Sequence, residues 1–122
     1  MILKKSDILS IHLPLNSKTD RLLNNKNLIL LKKSAIVINT ARGEIVDEKF
    51  LLSLIKQNKI ASAGFDVYEN EPLLKPEFYK LKNVVLLPHI GSATTEARNN
   101  MSLLAAKNII AILSGKRAIT PV

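Results

Sequence analysis

The sequence predicts an α/β fold, a doubly wound parallel sheet of about four strands followed by a long C-terminal helix. Three observations carry this. Four short apolar segments, at residues 8–11, 35–38, 61–65 and 84–87, start roughly two dozen residues apart, the spacing of βαβ repeats. The second and fourth are continuously apolar, as expected of parallel strands covered on both faces. Helical signals fill the intervals, and such alternation implies a right-handed, doubly wound arrangement.

After the first strand, a helical turn is expected around residues 19–23, and a second, apolar one at 28–32. Asp47 caps a helix through Gln57, in which Phe50, Leu51, Leu54 and Ile55 form the buried stripe. Asn58 follows where the chain needs a left-handed terminator. Beyond the fourth strand, Ser92 or Thr94 caps the final helix, with Glu96 near its positive end. Met101, Leu104, Ala105, Ile109, Ile112 and Leu113 give that helix one apolar face, and Gly115 ends it.

The length of 122 residues leaves room for one domain with a real core. A hydrophobic fraction of 47% and a charged fraction of 23% are those of an ordinary globular protein. No apolar run reaches bilayer length, and Met1-Ile2-Leu3-Lys4-Lys5 has no signal-peptide core. The absence of cysteine excludes disulfides and thiolate metal sites and fits a cytoplasmic protein. The net charge of +8 is spread over scattered lysines, and aromatics are 4% of residues. That is too few for base stacking, so no nucleic-acid partner is expected.

In doubly wound sheets, ligands bind beyond the carboxyl ends of the strands. The first strand is followed by His12-Leu13-Pro14, and the second by Asn39-Thr40-Ala41-Arg42-Gly43. Asp66 and Glu69-Asn70-Glu71-Pro72 follow the third, and Pro88-His89-Ile90-Gly91-Ser92 the fourth. An arginine, several carboxylates and a histidine thus converge on one edge. Without other information each has a bland reading: Arg42 as a surface charge, Glu71 as a loop acid, His89 as a solvated strand end.

Residues 38–43 with Val46-Asp47-Glu48, residues 64–72 and residues 88–94 resemble, in order and spacing, three segments of the D-isomer-specific 2-hydroxyacid dehydrogenase family. Residues 6–15 resemble the strand before them, so the likeness spans essentially the whole chain. The wording around His89, through Glu96-Ala97-Arg98 and Met101, is similar to the glyoxylate and hydroxypyruvate reductase branch. The resemblance implies a Rossmann-like fold and an oxidoreductase that uses NAD or NADP to reduce small 2-keto acids.

It also implies roles. Arg42 clamps the substrate carboxylate with a planar fork that stays charged. His89 protonates the carbonyl oxygen as hydride arrives, and acts as base in reverse. Glu71 hydrogen-bonds the other ring nitrogen, orienting the ring and favouring the imidazolium. Leu13, Pro14, Thr40, Ala41, Arg42, Asp66, His89 and Gly91 correspond to cofactor contacts. His12 has no chemical role in that scheme and reads as structural, and Asp47 and Glu48 read as helix-start residues.

The glycines stand only at 43, 64, 91 and 115, so there is no G-x-G-x-x-G loop to hold a pyrophosphate. By the resemblance, residues 1–122 are a fragment, the C-terminal part of an NAD(P)-binding domain. Residues 93–122 form the terminal helix and tail, and the substrate domain and first Rossmann half are absent. The open edge at residues 8–11 and the apolar final helix then imply a homo-oligomer or dependence on a complementary N-terminal segment. The alternatives are an inactive gene remnant or an interaction module without catalysis of its own.

Overall fold

The computed structural model describes residues 2–121, which form two compact units, one up to His89 and one from Ile90. In the first unit, strands β1 (Ile8–Ile11), β2 (Ile36–Asn39), β3 (Ser62–Phe65) and β4 (Val84–Leu86) form one sheet. Its order is β1-β2-β3-β4, with every pair parallel. The four expected strands are present, each end within a residue of its expected place.

Register explains the burial. Ile11, Asn39, Phe65 and Leu86 lie side by side in one row, and Leu9, Val37, Ala63 and Val84 in another. Both rows pack on the core with helices α1 (Asn25–Leu28) and α2 (Glu48–Lys56). The alternate residues point the other way, because side chains along a strand have a period of two. On that face Ile36 and Ile38 are half-buried, while Ile8 and Val85 are more than 60% exposed, at 64% and 63%. The helices of this unit therefore cover one face and leave the other open.

The four-residue α1 is too short to form by propensity alone. Asn24 caps it: its side chain accepts the Lys26 N–H at 2.9 Å, and the Asn27 side chain accepts the Asn24 N–H at 2.9 Å. Leu28 is fully buried, and such burial contributes about 1.5–3 kcal/mol. The helix thus begins earlier than the apolar pattern at 28–32 suggests. The turn of helix expected at 19–23 is not formed. Leu23 pairs instead with Val46 as an isolated parallel bridge, and Arg21 takes a left-handed conformation with φ 50°. Residues 17–21 form a turn in which the Asp20 N–H donates to the Asn16 carbonyl, and backbone bonds from Leu23 to Ile45 and from Asp47 to Leu23 hold Leu23 extended.

In α2 the expected cap holds, with the Phe50 N–H donating to Asp47 Oδ1 at 2.9 Å. Leu51, Leu54 and Ile55 are buried as expected, but Leu52 is buried too and Phe50 is only half-buried. Asn58 ends the helix with φ 55°, and the next amide, Lys59 N–H, reaches back to the Leu54 carbonyl. Beyond β3, Phe78 packs edge-on against both Phe65 and Tyr68, at 5.0 and 5.4 Å between centroids.

The second unit is α3 (Thr95–Leu113) and a tail. Thr94, one of the two expected caps, accepts the Ala97 N–H. Gly115 adopts φ 72° just past the end. The tail is tied down: Asn108 Oδ1 accepts the Ile119 and Thr120 N–H groups, and its Nδ2 donates to Thr120 Oγ1. The single apolar face expected of this helix is a narrower description than the chain supports. At 3.6 residues per turn, Leu103 and Ile110 fall opposite Met101 and Ile112, and all four are exposed. Among the described residues, no helix is long and apolar enough to cross a membrane.

Candidate active site

The carboxyl ends of the strands gather the predicted residues of the first unit along one edge. From β1 to β4 that edge runs about 14 Å, three steps of sheet spacing. Each loop is anchored by the one beside it. Asn39, buried at the end of β2, donates from Nδ2 to the Arg42 carbonyl at 2.9 Å and accepts the Ala41 N–H at 3.1 Å. Its own carbonyl accepts the Asp66 N–H at 3.0 Å. This one side chain shapes the loop that presents Thr40, Ala41 and Arg42.

Thr40 and Arg42 are exposed, and Arg42 Nη1 donates to the Ala41 carbonyl at 2.6 Å. Asp66, at the end of β3, is buried. Glu71 sits four residues further along the chain than Val67 and two beyond Glu69. One of its oxygens accepts the Tyr68 N–H at 2.9 Å; the other meets His89 Nδ1 at 2.6 Å. Tyr68 is fixed in turn, its hydroxyl donating to the Leu87 carbonyl at 2.8 Å. The two segments that present Glu71 and His89 are thus linked twice.

His89 has φ 53°, the left-handed region. For a residue other than glycine this costs on the order of 1–3 kcal/mol and persists only where the surroundings enforce it. Here the ring gains a short, charge-assisted contact with Glu71 in return. Desolvation pushes the Glu71 carboxyl up. The hydrogen bonds from His89 and Tyr68, with the charges of His89 and Arg42, outweigh it and hold the carboxyl below its usual value of 4.5. Arg42 and His89 therefore both act electrostatically on Glu71.

Two other expected residues of the first unit lie apart from this cluster. Leu13 and Pro14 are exposed after β1, three strands away, where the Pro14 carbonyl accepts from Thr19 Oγ1. Gly91 lies in a turn of the second unit. His12, expected to be structural, has Nε2 2.7 Å from Ser10 Oγ.

A nicotinamide ring fits one part of this edge. A groove of about 420 Å³ runs over the open face of the sheet, walled by Ile36, Ile38, Val85 and Leu87, with Thr40 and Asp66 at its carboxyl end. Apolar walls and a few polar groups suit a flat ring bearing a carboxamide. No glycine-rich turn stands ready for a pyrophosphate in this sequence.

Comparison with known proteins places this geometry. Residues 1–91 match the family model described as D-isomer specific 2-hydroxyacid dehydrogenase, NAD binding domain. The chain belongs to the D-isomer specific 2-hydroxyacid dehydrogenase family. Among relatives of this family, the glyoxylate reductase of Thermococcus litoralis is 51% identical over 115 residues, covering 94% of this chain and 35% of the relative. The glyoxylate reductase of Thermofilum pendens is 51% identical over 116 residues, covering 94% and 34%. The chain thus spans about a third of the length of the curated relatives it matches.

Solved structures agree. A NADPH-dependent glyoxylate/hydroxypyruvate reductase of Sinorhizobium meliloti, in complex with NADP and malonate, is 38% identical with a TM-score of 0.95, over 98% of this chain and 38% of that one. A D-lactate dehydrogenase of Lactobacillus jensenii, with NAD+, is 30% identical with a TM-score of 0.86, over 98% and 40%. These likenesses extend the Rossmann-like fold of the family to this chain.

Three features of the site carry no local signal in the sequence. Asn39 ends β2, and its buried side chain shapes the arginine loop. Gly43 packs so closely that an added Cβ would lie 2.1 Å from the Tyr68 carbonyl carbon. Glu48 stands at the start of α2 as expected, and it is 1% exposed.

Proposed function

We propose that this chain carries the acid–base half of an NAD(P)-dependent reductase of small 2-keto acids, of the glyoxylate and hydroxypyruvate class. The observation that carries the reading is the 2.6 Å contact between Glu71 and His89 at the carboxyl edge of the sheet. Glu71 accepts from Nδ1, so Nε2 is the nitrogen that delivers a proton. Its proton goes to the carbonyl oxygen as a hydride reaches the carbonyl carbon, giving the 2-hydroxy acid. Arg42 meets the substrate carboxylate and the same oxygen, where negative charge grows.

Bound NADH or NADPH supplies the hydride. Thr40, Ala41 and Asp66 would flank its nicotinamide end, with His89 and Arg42 beside them, and Leu13 and Pro14 would add contacts after β1. The pyrophosphate is held by residues outside this sequence. That assigns the chain a complementary N-terminal segment, in the cytoplasm, and the open sheet face fits such a neighbour, as it would a second copy in a homo-oligomer.

Two experiments test this. A calorimetric titration of the chain with NADH and with NADPH is expected to show no micromolar binding, since phosphate anchoring is absent. Tight stoichiometric binding would refute the assignment of the pyrophosphate to another segment. The second is the turnover of Glu71→Gln in an enzyme completed with that segment. Glutamine keeps the shape but removes the carboxylate that meets His89 Nδ1, so kcat for keto-acid reduction is expected to fall.

The same carboxyl carries a stability signature. Its folded-state value lies below 4.5, so its contribution is fully present above 4.5 and is lost as pH falls through the lower folded value. Wild type is expected to lose stability over that interval and Glu71→Gln to lose less. Unchanged turnover in Glu71→Gln leaves His89 as the acid and refutes its coupling to Glu71.

A further inference from the structure

Glu48 is a buried carboxylate that the acid–base chemistry does not use. It stands in the first turn of α2, where an acid normally faces solvent and gains from the helix dipole. Here the side chain turns inward. Oε1 accepts the Glu69 N–H at 2.8 Å, and Oε2 accepts from Lys75 Nζ at 2.8 Å. Lys75 also pairs with Glu69 Oε2, and Arg21 Nη2 lies 2.5 Å from Glu69 Oε1. That last contact is an ion pair without hydrogen-bond geometry.

These bonds grip residues 69–75 at both ends, across 21 and 27 positions of sequence. Glu71 lies inside the gripped segment. Its own side chain is 33% exposed and, among the described residues, reaches groups that belong to the site, the Tyr68 N–H and His89. A buried ion pair adds little net stability over an apolar pair of equal volume. What it supplies here is direction, since both carboxylate oxygens are committed to specified partners.

We propose that Glu48, through the Glu69 amide and Lys75, is a positioning residue that holds residues 69–75 so that Glu71 stays within hydrogen-bonding distance of His89. The proposal rests on the reading of Glu71 and His89 as the acid–base pair for its relevance to turnover. Its physical content is a statement about where Glu71 sits.

The test is a carbon-13 NMR titration of the Glu71 carboxyl in the full chain, with no turnover involved. In wild type, His89 and the Tyr68 amide hold that carboxyl below 4.5. In Glu48→Gln it is expected to rise toward the ordinary value, in the direction of a His89→Ala reference. A thermal melt reports whether the variant is folded. Should the single variant fail to fold, Glu48→Gln/Lys75→Met decides by the same readout, because it leaves no unpaired charge at the buried position. A folded variant whose Glu71 titration matches wild type overturns the proposal. So does failure of both variants to fold, which would make Glu48 a structural residue alone. If His89 proves not to be the acid, that appears in the rate of His89→Ala and leaves the carboxyl titration unaffected.

Discussion

Replacing His89 by alanine, in a chimera joining this chain to the remainder of the Thermococcus litoralis glyoxylate reductase, is expected to lower turnover of glyoxylate by about 100- to 10,000-fold, the usual worth of a positioned proton donor. The loss is expected in kcat, because the proton moves only in the transition state. Alanine also relieves little of the backbone cost at φ 53°, since it has a Cβ as well. A His89→Asn control, better suited to that backbone, separates conformation from chemistry: it restores geometry but no acid. Arg42→Lys is expected to raise KM as well as lower kcat, because an ammonium lacks the bidentate fork. Full activity in His89→Ala would remove the central residue of the proposed mechanism.

The largest expected effect on stability comes from Gly43→Ala. The added Cβ would stand 2.1 Å from the Tyr68 carbonyl carbon, 2.2 Å from the Glu69 nitrogen and 2.5 Å from the Tyr68 oxygen. All three are backbone atoms, so no side-chain rotation relieves the contact. The β2 and β3 loops must part, and the Glu48 bond to the Glu69 N–H goes with them. Overpacking of this kind costs about 1–3 kcal/mol and sometimes more, and the upper end is expected here. For a domain of this size that lowers the melting temperature by roughly 10 °C or more. A melt within about 2 °C of wild type would show that the loops are less closely joined than these distances require.

What the sequence made legible was local or repeated. Apolar runs marked the four strands because both faces of the sheet carry apolar side chains, the packed face and the open one alike, and the polar segments after them marked the edge. Asp47 and Asn58 were readable because a cap acts on its own helix, within three residues or so. Arg42, Glu71 and His89 were found through resemblance; nothing in their own neighbourhoods distinguishes them from surface charges. The misread parts depend on distant partners. Leu23 is drawn out of the expected helical turn by Val46, and the inward course of Glu48, whose place at the helix start was legible, is set by Glu69 and Lys75. Periodicity within one element carries no trace of such contacts. The final helix was assigned one face because Met101, Ile109 and Ile112 align, although Leu103 and Ile110 lie across from them.

Because every strand lies beside the one that precedes it in sequence, the sheet suits assembly during synthesis. A strand leaving the ribosome meets an edge already made, and no later segment has to be inserted between two earlier ones. Paired residues such as Ile8 and Ile36, Ile36 and Ser62, and Ala63 and Val84 are 28, 26 and 21 positions apart. Loop-closure entropy changes by only about 0.6 kcal/mol per doubling of length, so the three steps carry nearly equal entropic barriers. By that measure none of the three steps is set apart from the others, and β4, which leads into His89, is the last of these four strands to be synthesised.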